Sequence, residues 1–309
     1  MDVSVVISTK NRREGLLTCL AHLEQQTFPA ARFEVVLVDA GSTDDTFDTI
    51  SRYAEGAPVR TRCVRMETGG TPAGRNVGAR EAEGRWLLFL DSKLFASPNL
   101  IERHVRAQER CGGNVAIVGS VSPHPQMEAG SFNRWFMPDP GIEFAEQRAL
   151  PYLTWRRANM SLPRSLFLDA GGFDESFQFA QFSDAELAWR LSRQDAQGFY
   201  APEAHAYVFV PTSFEQERRR QYAKGYSLHA LLQRTGDTSL LSRYGLSDSR
   251  FCEGLKSLAM PVYIRACTRA DEKSRLFSRL YPRILRHDLC TGYTDARRGR
   301  EPRRGDMDV

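Results

Sequence analysis

Trp86-Leu87-Leu88-Phe89-Leu90-Asp91-Ser92-Lys93 decides how this chain is read. Five apolar residues make a short buried strand, and the strand stops at a carboxylate, a small residue and an ammonium. A strand that carries Asp91 to its C-terminal end puts a charge at the crevice where open α/β sheets keep their ligands. A strand with an ordinary polar exit would look the same, so the neighbouring segments decide.

Upstream, Val3 to Thr9 is rich in β-branched residues and reads as a buried strand, followed by the polar turn Lys10-Asn11-Arg12-Arg13. Gly15 to Gln26 carries Leu16, Leu17, Leu20 and Leu23 at helical spacing. Phe33 to Val38 reads as a second strand, stopped by Asp39-Ala40-Gly41-Ser42-Thr43-Asp44-Asp45, in which Ser42 or Thr43 is placed to cap the following helix. Val59 to Met66 reads as a third strand, and Gly74 to Glu83 as a helix leading into Trp86. The order β-α-β-α-β-α-β predicts a mainly parallel central sheet flanked by helices. A dinucleotide-binding domain would share that order, but it needs G-x-G-x-x-G at the first strand-to-helix turn. Ser8-Thr9-Lys10-Asn11-Arg12 offers polar side chains there instead of glycine.

The whole chain fits this reading. Its 309 residues, 41% hydrophobic and 26% charged, belong to the globular class. No apolar run approaches the roughly 18–20 residues that span a bilayer, and the chain enters a strand directly after Met1-Asp2, which predicts no secretory leader. Six cysteines, at 19, 63, 111, 252, 267 and 290, form no C-x-x-C pair and read as reduced thiols of a cytoplasmic protein. The net charge of +4 is uneven: residues 1–215 hold 22 Lys and Arg against 27 Asp and Glu, and residues 216–309 hold 20 against 11. The basic excess of the last third suits an anionic partner such as lipid headgroups, or a solvated helical surface; no nucleic-acid-binding motif accompanies it.

Six stretches, in order over about the first 210 residues, together resemble the motifs of family 2 glycosyltransferases. They are Val5 to Arg12, Val36 to Asp44, Gly74-Arg75-Asn76-Val77-Gly78-Ala79-Arg80, Phe89 to Lys93, Asp169-Ala170-Gly171-Gly172-Phe173-Asp174-Glu175, and Phe182 to Leu191. The fourth lies where the family has its DxD motif, the fifth matches its GGFDE turn, and the sixth its ED-containing acceptor helix. The resemblance implies a GT-A fold with a C-terminal helical extension. It implies an inverting transfer of sugar from a nucleoside-diphosphate donor to a glycan, lipid-linked or other hydroxyl acceptor. Thr9, Asn11, Arg12, Asp39, Arg75, Asp91 and Ser92 would bind the donor, and Asn159, Gly172, Phe173 and Asp174 the acceptor, with Arg164 nearby. Asp39 as an acceptor from the base suits the N3–H of uracil or thymine and not an unprotonated cytosine. As a helix cap it would have no such role. Asp184 would be the general base, since inverting transfer needs one carboxylate to take the acceptor hydroxyl's proton; it could equally cap its helix.

The sequence departs from the family at the metal. Lys93 replaces the last carboxylate of DxD, Ser183 replaces the Glu of the ED pair, and Val208 stands where a histidine often ligates, with His205 three residues early. Asp91 alone would be a poor cage for Mn²⁺ or Mg²⁺, which need several oxygens. One expectation is a metal-independent enzyme in which Lys93 is catalytic, helped by Arg75 and by an arginine of Arg218-Arg219-Arg220. The alternative is a catalytically silent relative that binds a nucleotide-sugar or a glycan. The expected organisation is a nucleotide half at residues 1–110, an acceptor half at 111–215, a basic helical extension at 216–295 and a disordered tail at 296–309. In the extension, Phe277, Leu280, Ile284, Leu285 and Leu289 share one side of a helix and Arg275, Arg279, Arg283 and Arg286 the other. Such a helix either packs on the domain or lies on an anionic membrane, at its inner face.

Overall fold

The computed structural model describes residues 1–126, 149–155, 158–177, 179–208, 213–246, 260–269 and 279–302. The chain forms two compact units. The first comprises Met1–Pro125, Asp139–Ser176 and Ser183–Phe209, and the second comprises Gln126–Pro138, Phe177–Phe182 and Val210–Val309.

The first unit is built on an eight-stranded sheet. Its strands are β1 (Val3–Thr9), β2 (Phe33–Ala40), β3 (Thr61–Met66), β4 (Trp86–Leu90), β5 (Leu94–Ala96), β6 (Val115–Pro123), β7 (Asn159–Pro163) and β8 (Gln197–Val208), in the order β3-β2-β1-β4-β7-β6-β8-β5. The β3, β2, β1 and β4 strands run parallel, as their hydrophobic runs require. Beyond β4 the sheet is mixed: β7 is antiparallel to β4 and β6, β8 is parallel to β6, and β5 is antiparallel to β8.

Alternation along each central strand assigns side chains to two cores. Val3, Val5 and Ile7 of β1, Phe33, Val35 and Leu37 of β2, and Trp86, Leu88 and Leu90 of β4 share one core with α1 (Arg13–Glu24), α2 (Thr46–Gly56) and α4 (Leu100–Cys111). Val6, Val36, Val38, Leu87 and Phe89 face the other, with α3 (Thr71–Glu81), α5 (Arg164–Asp169) and α6 (Ser183–Ser192).

β5 was not anticipated, and its place has a geometric consequence. Only three residues separate Leu90 from Leu94, a reach of about 14 Å at most. A flat sheet would put β5 four strand spacings from β4, about 19 Å away. The sheet therefore curls, and Asp91-Ser92-Lys93 sits where the curl brings its far edge round to its centre.

The expected cap at Ser42 or Thr43 is not what starts α2. Its N-cap is Asp45, which makes no side-chain cap bond; the Asp44 carboxylate accepts from the Thr46 amide at 3.0 Å, while Ser42 and Thr43 bind the neighbouring loop.

The second unit is helical. α7 (Phe214–Thr235) begins with a capping box in which Ser213 and Gln216 bond reciprocally, and it ends at Gly236 in the left-handed conformation. It is followed by α8 (Ser239–Arg243), α9 (Met260–Arg269) and α10 (Tyr281–Arg297). Gly225 and Gly292 let α7 and α10 touch backbone to backbone, since a Cβ on either would overlap a carbonyl of the other helix. Ile284, Leu285 and Leu289 of α10 are buried within this unit, so the apolar face that could have entered a lipid surface is covered by packing. α10 runs two residues into the stretch assigned to a tail, while Phe277, Arg275 and residues 303–309 lie outside the described residues. No described helix is long and apolar enough to cross a membrane.

Candidate active site

The C-terminal ends of β1, β2 and β4 meet at one edge of the sheet. The register pairs Thr9 with Asp39 and Val6 with Phe89, which carries Asp91 out beside the end of β1. Two loops are sewn together over this edge. The Asn11 amide donates to Ser42 Oγ at 2.9 Å, and Asn11 Oδ1 accepts from the Thr43 amide at 2.8 Å. Asn11 adopts φ 51, the left-handed region that asparagine tolerates. Asp39 is fully buried, and its carboxylate accepts from the Ser42 hydroxyl and, at 3.2 Å, from the Ser42 amide. It orders its loop and caps no helix. Thr9 Oγ1, buried beside this loop, has no hydrogen-bond partner among the described residues.

At the end of β4 the chain makes a tight turn, closed by the Leu94 amide on the Asp91 carbonyl at 2.9 Å. Asp91 Oδ1 accepts from the Lys93 amide at 3.2 Å, the Asx geometry that folds a carboxylate back on its own turn. The Lys93 ammonium stands 3.7 Å from Asp91 Oδ2, and both side chains remain about 30% exposed (31% and 27%). Burial works to raise the Asp91 pKa. The charges of Lys93 and Arg75, the Lys93 amide and the charge of Arg12 outweigh it and hold the carboxyl well below the usual range. The charges of three cations thus act on one carboxylate.

Arg75 reaches that point because α3 lies unusually close to β1. A Cβ at Gly74 would overlap Ser8 and one at Gly78 would overlap Val6, so glycines four apart let the helix down onto the strand. The guanidinium is 1% exposed. The next residue, Asn76, turns the other way. Its Oδ1 accepts from the Phe173 amide at 2.8 Å, and its Nδ2 donates to the Phe173 carbonyl at 2.9 Å and to Glu175 Oε1 at 2.8 Å. Gly172 adopts φ 74 and a Cβ there would collide with Asn76 Oδ1, so glycine serves both the backbone and the clamp.

From the other side Arg190 of α6 donates to the Gly172 carbonyl at 2.6 Å and to the Ala170 carbonyl, and is held by Glu186 through a two-pronged ion pair at 2.6 and 2.8 Å. An unbroken run of bonds therefore joins α3, the Gly171-Gly172 turn and α6. In the first turn of α6, Ser183 and Glu186 are buried, whereas Asp184 is half-buried with Oδ1 accepting from the Ala185 amide at 3.0 Å.

The sequence profile of glycosyl transferase family 2 matches residues 4–161, the segment from β1 through β7 that carries this edge. The chain belongs to glycosyl transferase family 2. The validoxylamine A glucosyltransferase of Streptomyces hygroscopicus subsp. jinggangensis is 32% identical over 216 residues, covering 61% of this chain and 51% of that protein. The poly(ribitol-phosphate) β-N-acetylglucosaminyltransferase TarS of Staphylococcus aureus is 36% identical over 92 residues, 30% of this chain and 16% of that one. The chain thus spans about half the length of the validoxylamine glucosyltransferases it matches. The mannosyltransferase PcManGT of Pyrobaculum calidifontis, solved with GDP-Man and Mn²⁺, superposes with a TM-score of 0.62 at 17% identity over 97% of this chain and 88% of that one. S. aureus TarS 1-349 with UDP-GlcNAc gives 0.55 at 16% identity, over 98% and 93%. At such identities these likenesses concern the fold, which is GT-A.

Within this family 2 framework some expected site residues gather and others do not. Thr9, Asn11, Arg12, Asp39, Arg75, Asp91 and Lys93 share one edge of the sheet. Ser92 is buried inside its turn. Asn159 is 1% exposed and fully used, with Oδ1 on His104 Nε2 at 2.8 Å and Nδ2 donating to the carbonyls of Ala204 and Ser120 at 2.9 and 3.1 Å. It holds the sheet together and has no atom left for an acceptor. Phe173 is buried with its ring against Phe89 and Phe167, each 5.2 Å between centroids, so it belongs to the core. Asp174 is half-buried and accepts from the Ser176 amide at 2.9 Å. Arg164 donates to the Ala79 and Arg80 carbonyls at 3.2 and 3.0 Å, closing the C-terminal end of α3 rather than meeting an acceptor.

His205 lies between Ser120 Oγ at 2.6 Å and Ser122 Oγ at 3.1 Å. Of the arginine triplet, Arg218 makes a two-pronged pair with Asp288 at 2.9 and 3.2 Å, while Arg219 and Arg220 pair more loosely with Glu215 and Glu217 at 3.8 and 3.7 Å. Those pairings all lie inside the second unit, where the triplet serves helix packing. Asn76 and Arg190 were missed as site residues, although both stand inside quoted motifs.

Proposed function

We propose that this chain transfers a sugar from a uridine or thymidine diphosphate sugar to a hydroxyl of a glycan or lipid-linked acceptor, with inversion at the anomeric carbon. The Asp184 carboxylate takes the acceptor hydroxyl's proton. The freed oxygen attacks the anomeric carbon, and the bond to the diphosphate breaks on the opposite face with its electron pair leaving on the nucleotide. Asp39 and Asn11 receive the base and ribose, and Arg75 the diphosphate.

The observation that carries this reading is the contrast within one turn of α6. Asp184 is half-buried while Ser183 and Glu186 beside it are buried, and Arg190 ties that turn through Gly172 and Asn76 to the helix bearing Arg75. Base and donor site are thus parts of one rigid construction. The UDP-GlcNAc held by TarS supports a uridine-type donor, and the glucosyltransferase name of the validoxylamine A relative supports transfer of a sugar.

Release of nucleoside diphosphate from a panel of UDP- and dTDP-sugars, with sugar and polyol acceptors and proton NMR of the product anomer, tests it. Asp184→Asn is expected to lower turnover about 10²–10⁴-fold and leave nucleotide affinity unchanged. Turnover that survives the substitution would remove Asp184 from the mechanism. Nucleotide binding without turnover on any acceptor would make the chain a binding protein.

A further inference from the structure

The divalent cation that the fold family implies does not fit the residues present. Among the described residues no group of three His, Cys, Asp or Glu side chains could hold a metal ion. Asp91 is committed to its own turn through the Lys93 amide. The pairing of Leu94 with Val208 sets a valine, which has no donor atom, next to Lys93 across the closing edge of the sheet.

Building on the proposed donor site, we infer that Lys93, together with Arg12 and Arg75, replaces the divalent cation at the donor's diphosphate. The charges of Lys93, Arg75 and Arg12 all act on Asp91. A carboxylate at position 93 would remove one of these positive charges and add a negative one, and a metal cation would then be needed to restore the field.

The geometry suits the task. The ammonium stands 3.7 Å from Asp91 Oδ2, beyond a hydrogen bond, in a partly exposed pair of the kind that contributes little to stability. Arg75 is fixed from below by the close packing of α3 on β1, and Arg12 lies in the loop after β1, three residues past Thr9. When the bond from the anomeric carbon to the diphosphate oxygen breaks, the electron pair stays on that oxygen. The new negative charge is met by groups already in place, which is how preorganised charge lowers a barrier. No proton transfer to the leaving group and no other co-reactant is required. Asp91 then has a positioning role, holding the Lys93 turn, and Lys93 is the catalytic residue.

Calorimetric titration of the full chain with UDP, dTDP and GDP, first in EDTA and then in excess Mn²⁺, decides the matter. The parent protein is expected to bind one of the three equally well, within about threefold, under both conditions. Lys93→Ala is expected to bind at least tenfold more weakly in EDTA, and Lys93→Arg to keep most of the affinity. Lys93→Asp is expected to bind poorly in EDTA and to recover at least tenfold with Mn²⁺. Lys93 is partly exposed, so unchanged melting temperatures are expected for all three variants. Parent binding that appears only with Mn²⁺, or a Lys93→Ala affinity equal to the parent's, would overturn the replacement and leave the transferase reading standing. Absence of binding to all three nucleotides under both conditions would overturn the donor site itself, and this inference with it.

Discussion

Asn76→Ala should damage the first unit more than its single small side chain suggests. Asn76 is 4% exposed and satisfies both backbone groups of Phe173, whose ring is 2% exposed in the second core. Truncation leaves that amide and that carbonyl buried without partners. Each orphaned group costs about 1–3 kcal/mol, so the pair together should cost about 3 kcal/mol after partial relaxation. For a unit of this size that is a fall in melting temperature of about 6–12 °C. Asn76→Asp preserves the shape but turns two donated bonds into a carboxylate facing the Phe173 carbonyl and the Glu175 carboxylate, and should cost at least as much. Glu175→Ala removes only the exposed end of the clamp and should cost under about 1 kcal/mol. Urea unfolding followed by tryptophan fluorescence reports on this unit, since Trp86 and Trp155 are buried in its cores. An Asn76→Ala cost below 1 kcal/mol, or one equal to that of Glu175→Ala, would refute the claim that Asn76 holds the glycine turn from α3.

Two further predictions concern stability. Gly225→Ala would push a methyl group into the Leu289 carbonyl and force α7 and α10 apart, so the second unit should lose about 1–3 kcal/mol, measured as earlier proteolysis of residues 213–302 while nucleotide binding persists. His104, buried and flanked by Ser161 and Asn159, has its pKa pushed down to about 4 by burial, against a smaller upward effect from Asn159. With an unfolded value near 6.5 the unfolded chain binds the extra proton, so this stability is complete above pH 6.5 and is lost as pH falls toward 4, by about 3 kcal/mol; His104→Gln should flatten that part of the pH–stability curve in urea titrations.

Much of the sheet edge where β1, β2 and β4 end was legible because it is local. β1, β2 and β4 are continuous apolar runs with abrupt polar ends, and the Asp91–Lys93 relation is contained in three consecutive residues. What was not legible depends on contacts far apart in sequence. Asn159 looked like a site residue by motif, yet its partners are 39, 45 and 55 positions away, and only those show that it is spent on the framework. Phe173 gives no sign along the chain that its ring completes a core with Phe89 and Phe167. Asn76 reads as the second half of an Arg-Asn pair, and nothing local reveals a clamp 97 residues away. Ser42 and Thr43 had cap-forming side chains and a helix after them, but Asn11, 31 and 32 residues upstream, bonds to both, and the helix starts after Asp45 with no side-chain cap on its N-cap residue.

The arginines illustrate the same point. Arg75 and Arg218 are equally cationic on paper, and a basic triplet at Arg218-Arg219-Arg220 is the more conspicuous candidate for an anionic ligand. Arg218, however, meets Asp288 70 residues on, within a helix pair already closed by Gly225 and Gly292. Its charge is answered inside the second unit. Arg75 is set by glycines at 74 and 78 against the strand that ends at the ligand crevice, and its field falls on Asp91. Whether a cation can serve a substrate is thus decided by what its backbone is packed on and by which carboxylate reaches it first. Lys93 meets the same test among the described residues, since it pairs at 3.7 Å with the Asp91 of its own turn and both side chains are partly exposed, the kind of ion pair that contributes little to fold stability.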